Sequence, residues 1–277
     1  MILTSECFIA VYGTLRRHPW INLDQPGEDA YSLFNKYAEA LNWSDSAARK
    51  VGEAARPRGY TGVLWGMNDA GGVWRSGESS CDDHVLWVQT SLAQPNEQPW
   101  IPIAQLNLCS EKTLQRVGAL SLTGVQMMFS LGYEFIHQPH TWGVFSMSDP
   151  RARTNLRVEI EGSDDDTFIG RANDIIFELN SSCEITGLMF DEAVITDSSD
   201  YLLDEPPEMR RNAWLGDSTG RIETRVVVPE LSFDMSSYII TQLARSSQVV
   251  GLSNPVLITI RREDGLAEPM RSPELQN

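Results

Sequence analysis

The chain has 277 residues, of which 42% are hydrophobic and 22% charged, and it carries 38 acidic against 22 basic residues. This composition is typical of a folded protein with a sizeable core, and it excludes disordered, collagen-like and coiled-coil chains. The formal net charge of -16 disfavours nucleic acids and anionic membrane surfaces as partners, because both are polyanions.

The sequence also carries information on the compartment. No stretch is apolar enough over the about 20 residues that a membrane-crossing helix needs. The first 15 residues lack the basic start and the small-residue cleavage site of a secretory signal. Four cysteines lie far apart along the chain, as reduced thiols do more often than a disulfide framework: Cys7, Cys81, Cys109 and Cys183. We therefore expect a cytoplasmic protein.

Strand and helix patterns alternate along the first half of the chain. Continuous apolar runs predict strands, and apolar residues three or four apart predict helices. In chain order the predicted elements are a strand over 8–15, a helix over 29–41, strands over 61–65, from Trp87 and over 106–108, a helix over 110–120 with Ser110 as its N-cap, and a strand over 125–131.

The second half repeats this order at a nearly constant separation. Residues 186–190 follow 61–65 by 125 positions, and Trp214 follows Trp87 by 127. The remaining elements predicted there are a strand over 156–160, a helix over 166–179, a strand over 231–233, a helix over 236–245 with Ser236 as its N-cap, and a strand over 256–260. Each half thus has the order β-α-β-β-β-α-β.

These patterns predict an α+β fold that arose by tandem duplication. The two related halves would form either layered sheet-and-helix lobes or one pseudo-twofold sheet. We place the first, tryptophan-rich half at residues 1–138, the second half at 139–262 and a flexible tail at 263–277. The first half has 14 acidic and 10 basic residues, a net charge of -4, and the remainder has 24 acidic and 12 basic residues, a net charge of -12.

The acidity of the second half suggests a binding element. Residues 197–211 contain two consecutive prolines and are predicted to form an exposed acidic loop between strands. The candidate binding residues in this loop are Asp197, Asp200, Asp204, Glu205 and Glu208. An upstream acidic run at 164–166 lacks the spacing of a calcium loop, and we expect it to cap a helix instead.

Tryptophans form a second group of candidate binding residues. Seven of the eight precede residue 150, and aromatic side chains with a polar group often anchor recognition. Trp20, Trp43 and Trp74 lie in loop-like surroundings, which makes them the better candidates for binding. Core packing is the alternative use of such residues.

One short segment resembles a known enzyme family. Residues 12–17, Tyr-Gly-Thr-Leu-Arg-Arg, follow an apolar strand and resemble the substrate loop of the gamma-glutamylcyclotransferase family. The resemblance implies a loop whose backbone holds the substrate and a downstream glutamate that acts as acid and base, for which Glu53 and Glu78 are the candidates. A strand that ends in a turn accounts for the same residues, and we favour that interpretation.

Two other sequence patterns could indicate a metal site or a catalytic serine. Cys81 with His84 and His137 with His140 could supply four zinc ligands, although ordinary loop residues are the interpretation that we favour. Residues 216–220 fit the Gly-x-Ser-x-Gly pattern of α/β-hydrolases, but a strand follows and no histidine comes later, so we predict a hairpin turn. No nucleotide-binding motif occurs, and we expect no cofactor.

The sequence therefore predicts a non-enzymatic, acidic protein–protein interaction module that binds a basic partner. An inhibitor, an immunity-type protein or an assembly factor would use its charge in this way, to accelerate association. The alternative is a small-molecule enzyme with a pocket in the tryptophan-rich first half.

Overall fold

A computed structural model describes most of the chain. The described residues are 6–21, 28–44, 64–74, 84–92, 100–135, 148–149, 151–163, 166–196, 202–203, 206, 209, 215 and 219–263. They form an eight-stranded antiparallel sheet, a separate pair of two-residue strands and five α-helices, which confirms the α+β class. Among these helices, none has both the length and the apolar character to span a bilayer.

Ten strands are present in this part of the chain. They are β1 (Glu6–Arg17), β2 (Trp65–Gly71), β3 (His84–Leu92), β4 (Trp100–Ile101), β5 (Gly118–Ser130), β6 (Glu134–Phe135), β7 (Thr154–Ser163), β8 (Val194–Ile195), β9 (Thr219–Val228) and β10 (Pro255–Arg262). The helices are α1 (Ala30–Ala40), α2 (Ile103–Val117), α3 (Asp166–Gly170), α4 (Ala172–Cys183) and α5 (Phe233–Val249), and a 3-10 helix follows α4 at Glu184–Thr186.

The large sheet joins strands from both ends of the chain. Its order is β2-β3-β1-β5-β10-β7-β9-β8, and every neighbouring pair is antiparallel. Of the two arrangements left open by the sequence, separate lobes or one sheet, the strands adopt one continuous sheet. β5 and β10 meet at its centre.

Helices cover one face of this sheet. α2 packs on α1 and on α5, and α5 packs on α4, so that four helices lie side by side. Each helix buries an apolar stripe, as α5 does with Ile239, Ile240 and Leu243. These stripes and the helix-facing residues of the strands form one continuous apolar core.

The opposite face of the sheet is covered in part by the segment between β8 and β9. The apolar residues buried there are Phe8, Ala10, Tyr12, Trp87, Met128 and Leu257 from the strands and Leu203, Met209 and Leu215 from the segment. The Tyr12 hydroxyl donates to Gln126 Oε1 at 2.7 Å, and Gln126 Nε2 donates to the carbonyl of Leu203 at 3.2 Å. Arg261 Nη1 donates to the carbonyl of Leu202 at 2.9 Å, which ties the segment to β10 as well.

Charged side chains occupy the same face on the outer strands. β7 presents Glu161, Glu159 and Arg157 opposite Arg221, Glu223 and Arg225 of β9. Opposite charges meet diagonally, because Arg221 Nη1 lies 3.6 Å from Glu159 Oε2 and Arg157 Nε donates to Glu223 Oε1 at 3.1 Å. Both members of the first pair are buried, whereas Arg225 is exposed and pairs with Glu263 at 3.1 Å.

Two predicted helix starts are wrong, because each helix begins earlier in the chain than the serine predicted to cap it. Ser110 lies inside α2, where its hydroxyl donates to the carbonyl of Leu106 at 2.9 Å. Ser236 lies inside α5, whose N-cap is Ser232, with Oγ accepting from the Met235 amide at 3.2 Å. The strand predicted over 106–108 does not form, because these residues lie inside α2, and the one predicted over 231–233 does not form because α5 begins at Phe233. The strand predicted over 186–190 is also wrong, since Thr186 ends a 3-10 helix and Phe190 makes only an isolated bridge to Val226.

The buried ion pair gives a test of what the charged face contributes to stability. Replacing Arg221→Met leaves the Glu159 carboxylate buried without the guanidinium, so we expect the free energy of unfolding to fall by about 3 kcal/mol. Arg225→Met is the matched control on the same strand and face, and it should cost less than about 1 kcal/mol because its ion pair is exposed. Urea denaturation measures both, and equal losses would contradict the assignment.

Candidate interaction surface

The outer edge of the sheet is built by the chain that follows α4. α4 buries Ile175, Ile176 and Leu179 against the core. The 3-10 helix after it ends at Gly187, whose φ of 70° suits glycine, and the chain then turns to run alongside β9. Asn180 fixes this return, because its side chain accepts from the Phe190 amide at 2.7 Å and donates to the Phe190 carbonyl at 3.0 Å.

A bulge interrupts the pairing of this edge with β9. The Asp191 amide donates to the Arg225 carbonyl at 2.9 Å, whereas Val194 pairs with Glu223. Two residues therefore stand opposite Thr224, whose hydroxyl donates to the Asp191 carbonyl at 2.8 Å. The extra residue bends the edge and places an acidic pair at the bulge, Asp191 and Glu192.

Large apolar side chains are exposed along the same stretch. They are between 52% and 94% exposed, and they are Phe177, Ile185, Met189, Val194 and Ile195. Single exposed apolar residues are ordinary, but these five lie within 19 positions of one another in the chain, and we refer to them together as the apolar patch. Val227 of β9 is exposed beside this edge and extends the patch.

The charged residues within this stretch of the chain all have one sign. Residues 172–196 contain Asp174, Glu178, Glu184, Asp191 and Glu192, and no lysine, arginine or histidine. We name this stretch the acidic edge. Arg171 precedes it directly and pairs with Asp174 at 3.0 Å on the surface, which neutralises one carboxylate near the start of α4.

The acidic binding residues predicted from the sequence lie outside the described residues. These are Asp197, Asp200, Asp204, Glu205 and Glu208. Their described neighbours Leu202, Leu203 and Met209 are buried, so part of this segment packs on the sheet rather than extending into solvent. The acidic edge begins 25 residues earlier, and its sequence signal is the absence of any positive charge from 172 to 196 among exposed apolar residues.

The three candidate tryptophans lie in different environments. Trp20 is 66% exposed and stacks on His18, with ring centroids 4.3 Å apart. Trp43 is half-buried and packs on Trp65 at the rim of the helix layer. Trp74 is buried, and its indole N–H donates to the carbonyl of Val85 at 2.6 Å. The structure does not bring the three side chains into one site.

The segment that resembles the cyclotransferase loop is not a loop. Residues 12–17 continue β1, which pairs with β5 as far as Arg17. Gly13 is required at a bulge in this strand, because its φ is 151° and a Cβ there would lie 2.3 Å from the Ser121 carbonyl oxygen. The expectation of a substrate-holding loop is wrong. The strand that we favoured is present over these residues, and its turn comes after Arg17, where the Ile21 amide donates to the His18 carbonyl at 3.2 Å. Glu53 and Glu78 lie outside the described residues.

Of the four candidate zinc ligands, His84 alone is described. It begins β3 and is half-buried, whereas Cys81, His137 and His140 lie outside the described residues. Within the described ranges no three acidic, cysteine or histidine side chains come together in a way that could hold a metal ion. Residues 216–218 are outside these ranges, but Gly220 lies in β9, so a strand follows the Gly-x-Ser-x-Gly pattern as predicted.

A depression lies beside β10. It encloses about 230 Å³, including space open to solvent, and small-molecule sites range from about 300 to 1,000 Å³. Its lining is apolar except for Asn254 and includes Leu131, Phe168 and Leu252. No titratable side chain lines it, so it has no group for acid–base or nucleophilic chemistry.

Comparisons with known proteins do not assign this surface. No family model matches the chain, and no curated protein matches it. Among solved structures, one described as an unknown protein from Galdieria sulphuraria is 10% identical over 93% of this chain and 98% of that chain, with a TM-score of 0.22. A likeness at this level carries no argument about function.

The bulge in β1 predicts a sharp contrast between two glycines. Gly13→Ala should lower the free energy of unfolding by about 2 kcal/mol, because alanine at a positive φ is strained and its methyl group meets the Ser121 carbonyl. Gly66→Ala in β2 is the control, since a Cβ there has no neighbour within 4 Å. Urea denaturation measures both, and a Gly13 variant as stable as the control would contradict the assignment.

The described thiols should be unreactive in the folded protein. Burial raises the pKa of Cys7 and of Cys109 to about 12, and it also raises the pKa of Cys183. Because the thiolate is the nucleophile, iodoacetamide at pH 8 should leave these three cysteines unmodified until urea is added. Peptide mass spectrometry measures the labelling, and rapid modification of the native protein would show that the burial is incomplete.

Proposed function

We propose that this protein is a non-catalytic binding module whose acidic edge takes up a basic protein partner. The observation that carries the proposal is the coincidence of exposed apolar side chains with a stretch of single charge sign at the end of the sheet. An inhibitor, an immunity-type protein or an assembly factor would use such a surface.

The two components of the surface act at different stages of binding. Carboxylates around the patch attract a cationic partner over a distance of about 8 Å at physiological salt, and the net charge of -16 adds to that field. Burial of Phe177, Met189 and Val194 would then contribute affinity, since apolar area removed from water is worth about 25 cal/mol per Å² before the costs of association. Charge supplies the rate and selectivity, and the apolar patch supplies the lifetime of the complex.

The rival function is a small-molecule enzyme in the first half, and the described residues there contain no cavity lined by a titratable side chain. The described depression is apolar and lies at β10. A shifted carboxylate is present in the first half, because burial raises the pKa of Glu111 and the nearby Asp234 adds to that effect against the opposing influence of Lys112. Glu111 is half-buried on α2, however, and it does not line the depression.

The proposal includes an origin by duplication and a cytoplasmic location. Read inwards from its two edges, the sheet has the orders β2-β3-β1-β5 and β8-β9-β7-β10, in which each strand of one half has a counterpart in the other. The helices α1 and α2 correspond in chain order to α4 and α5. Three free, buried cysteines are typical of a reducing compartment.

Charge reversal on the acidic edge tests the proposal. A tagged wild-type chain should retain a basic protein from its native lysate at 50 mM salt and release it at about 500 mM, because the steering interaction is screened. The double variant Asp191→Lys, Glu192→Lys should reduce this retention at least tenfold, as measured by quantitative mass spectrometry.

A matched variant controls for net charge. Asp69→Lys with Glu134→Lys changes the total charge by the same amount at exposed positions, of which Asp69 lies on the strand at the opposite end of the sheet. It should retain the partner as the wild type does. Equal loss in both variants would show that net charge alone is responsible, and equal retention in both would contradict a role for the acidic edge.

A further inference from the structure

The backbone of the acidic edge is arranged to accept another strand. Among the described strands, β8 is the terminal one of the large sheet. The Thr196 amide donates to the Arg221 carbonyl at 3.1 Å, so the backbone groups of Thr196 and of Val194 face β9. Because these groups alternate in direction along an antiparallel strand, the N–H and C=O of Ile195 point away from the sheet.

The side chains of β8, like its outward backbone groups, are only partly covered. Val194 and Ile195 lie on opposite faces of the sheet, and each is more than half exposed. Ile195 pairs with the buried Ile222, so its side chain lies on the face that the helices cover. A strand added outside β8 would cover both side chains at once, which a helix docked on one face would not do.

The negative charge beside β8 indicates which kind of strand would pair with it. A second copy of the chain that paired at β8 would bring two edges of the same negative charge together, each with Asp191 and Glu192, and like charges at a bulged edge are a standard protection against self-pairing. A strand that carries arginine or lysine would instead meet these carboxylates with opposite charge. The edge is therefore closed to copies of itself and open to a cationic extended segment.

Resting on the proposed function, we infer that the partner binds by strand addition. An extended segment in which basic residues alternate with β-branched apolar residues pairs with the open side of Ile195 and extends the eight-stranded sheet to nine strands. Backbone hydrogen bonds to Ile195 give the register, the carboxylates at the bulge bind the basic side chains, and Val194 and Ile195 pack against the apolar ones.

The substitution Ile195→Pro isolates the backbone contribution. Proline removes an N–H that points away from β9, which is the situation in which edge strands tolerate proline. Ile195→Thr is the matched control, because it keeps the N–H and a β-branched side chain. Thermal unfolding checks that both variants remain folded with melting temperatures within a few degrees of each other.

The probe is a labelled nine-residue peptide with blocked ends, in which arginine alternates with valine and threonine. Fluorescence anisotropy at 50 mM salt should show binding to the wild type and to Ile195→Thr within twofold of each other, and at least tenfold weaker binding to Ile195→Pro. The same peptide methylated on alternate backbone nitrogens should lose binding to the unaltered protein, and a version with glutamate in place of arginine should not bind. NMR amide shifts should change at residues 190–196.

The outcomes separate this inference from the proposed function. If Ile195→Pro binds the peptide as the wild type does while Asp191→Lys, Glu192→Lys does not, strand addition is wrong and the acidic edge remains the binding surface. If the peptide does not bind, or the methylated peptide binds equally well, strand addition is also wrong, and retention of the lysate partner decides the proposed function separately. If Ile195→Pro and the double variant Asp191→Lys, Glu192→Lys both still bind the peptide and the lysate partner, strand addition and the proposed function are both wrong.

Discussion

The pairing of β5 with β10 is the interaction on which the rest of the architecture depends. Seven residue pairs, from Pro255 with Ser130 to Arg261 with Gly124, join strands that are more than 120 positions apart in the chain. Without this pairing each half would end in an exposed edge made of side chains suited to a core. With it, the two four-stranded parts share one sheet, and their helices form one layer through the contact between α2 and α5. Among the described strands, β2 and β8 are then the two ends of the sheet, and the side chains of β8 are more than half exposed.

Much of the sheet was predictable from the sequence because its central strands are buried on both faces. Such strands have nearly continuous apolar runs, and the runs at 8–15, 125–131 and 256–260 correspond to β1, β5 and β10. The same rule fails where a helix begins with closely spaced apolar residues. Leu106 and Leu108 alternate as in a strand, although Ile103, Leu106 and Val117 form the buried stripe of α2. Local pattern gave the presence of these helices, whereas tertiary packing decided where they start.

The acidic edge could not be located in the same way, since it is defined by long-range pairing. The position of Phe190 opposite Val226, and of β8 at the end of the sheet, depends on contacts that no local pattern encodes. Sequence reasoning placed binding in the most acidic stretch and in the tryptophans, because charge density and aromatic content are visible without a fold. Exposure is not visible, and the described tryptophans divide between a buried Trp74 and an exposed Trp20. The absence of positive charge over 172–196 is visible in the sequence. It indicates a binding surface only once the exposure of Phe177 and Ile195 is known.

The bulge with Asp191 and Glu192 has a consequence for how the protein behaves in different buffers. Its protection of the edge is electrostatic, and the range of that repulsion shrinks from about 10 Å at 0.1 M salt to about 3 Å at 1 M. The apolar patch beside it is not weakened by salt, and salting-out anions such as sulfate strengthen its tendency to be buried. Concentrated salt should thus favour association of the chain with copies of itself through β8. The condition that elutes a cationic partner is then also the one in which the released protein is least soluble, and dilution or dialysis should reverse the association.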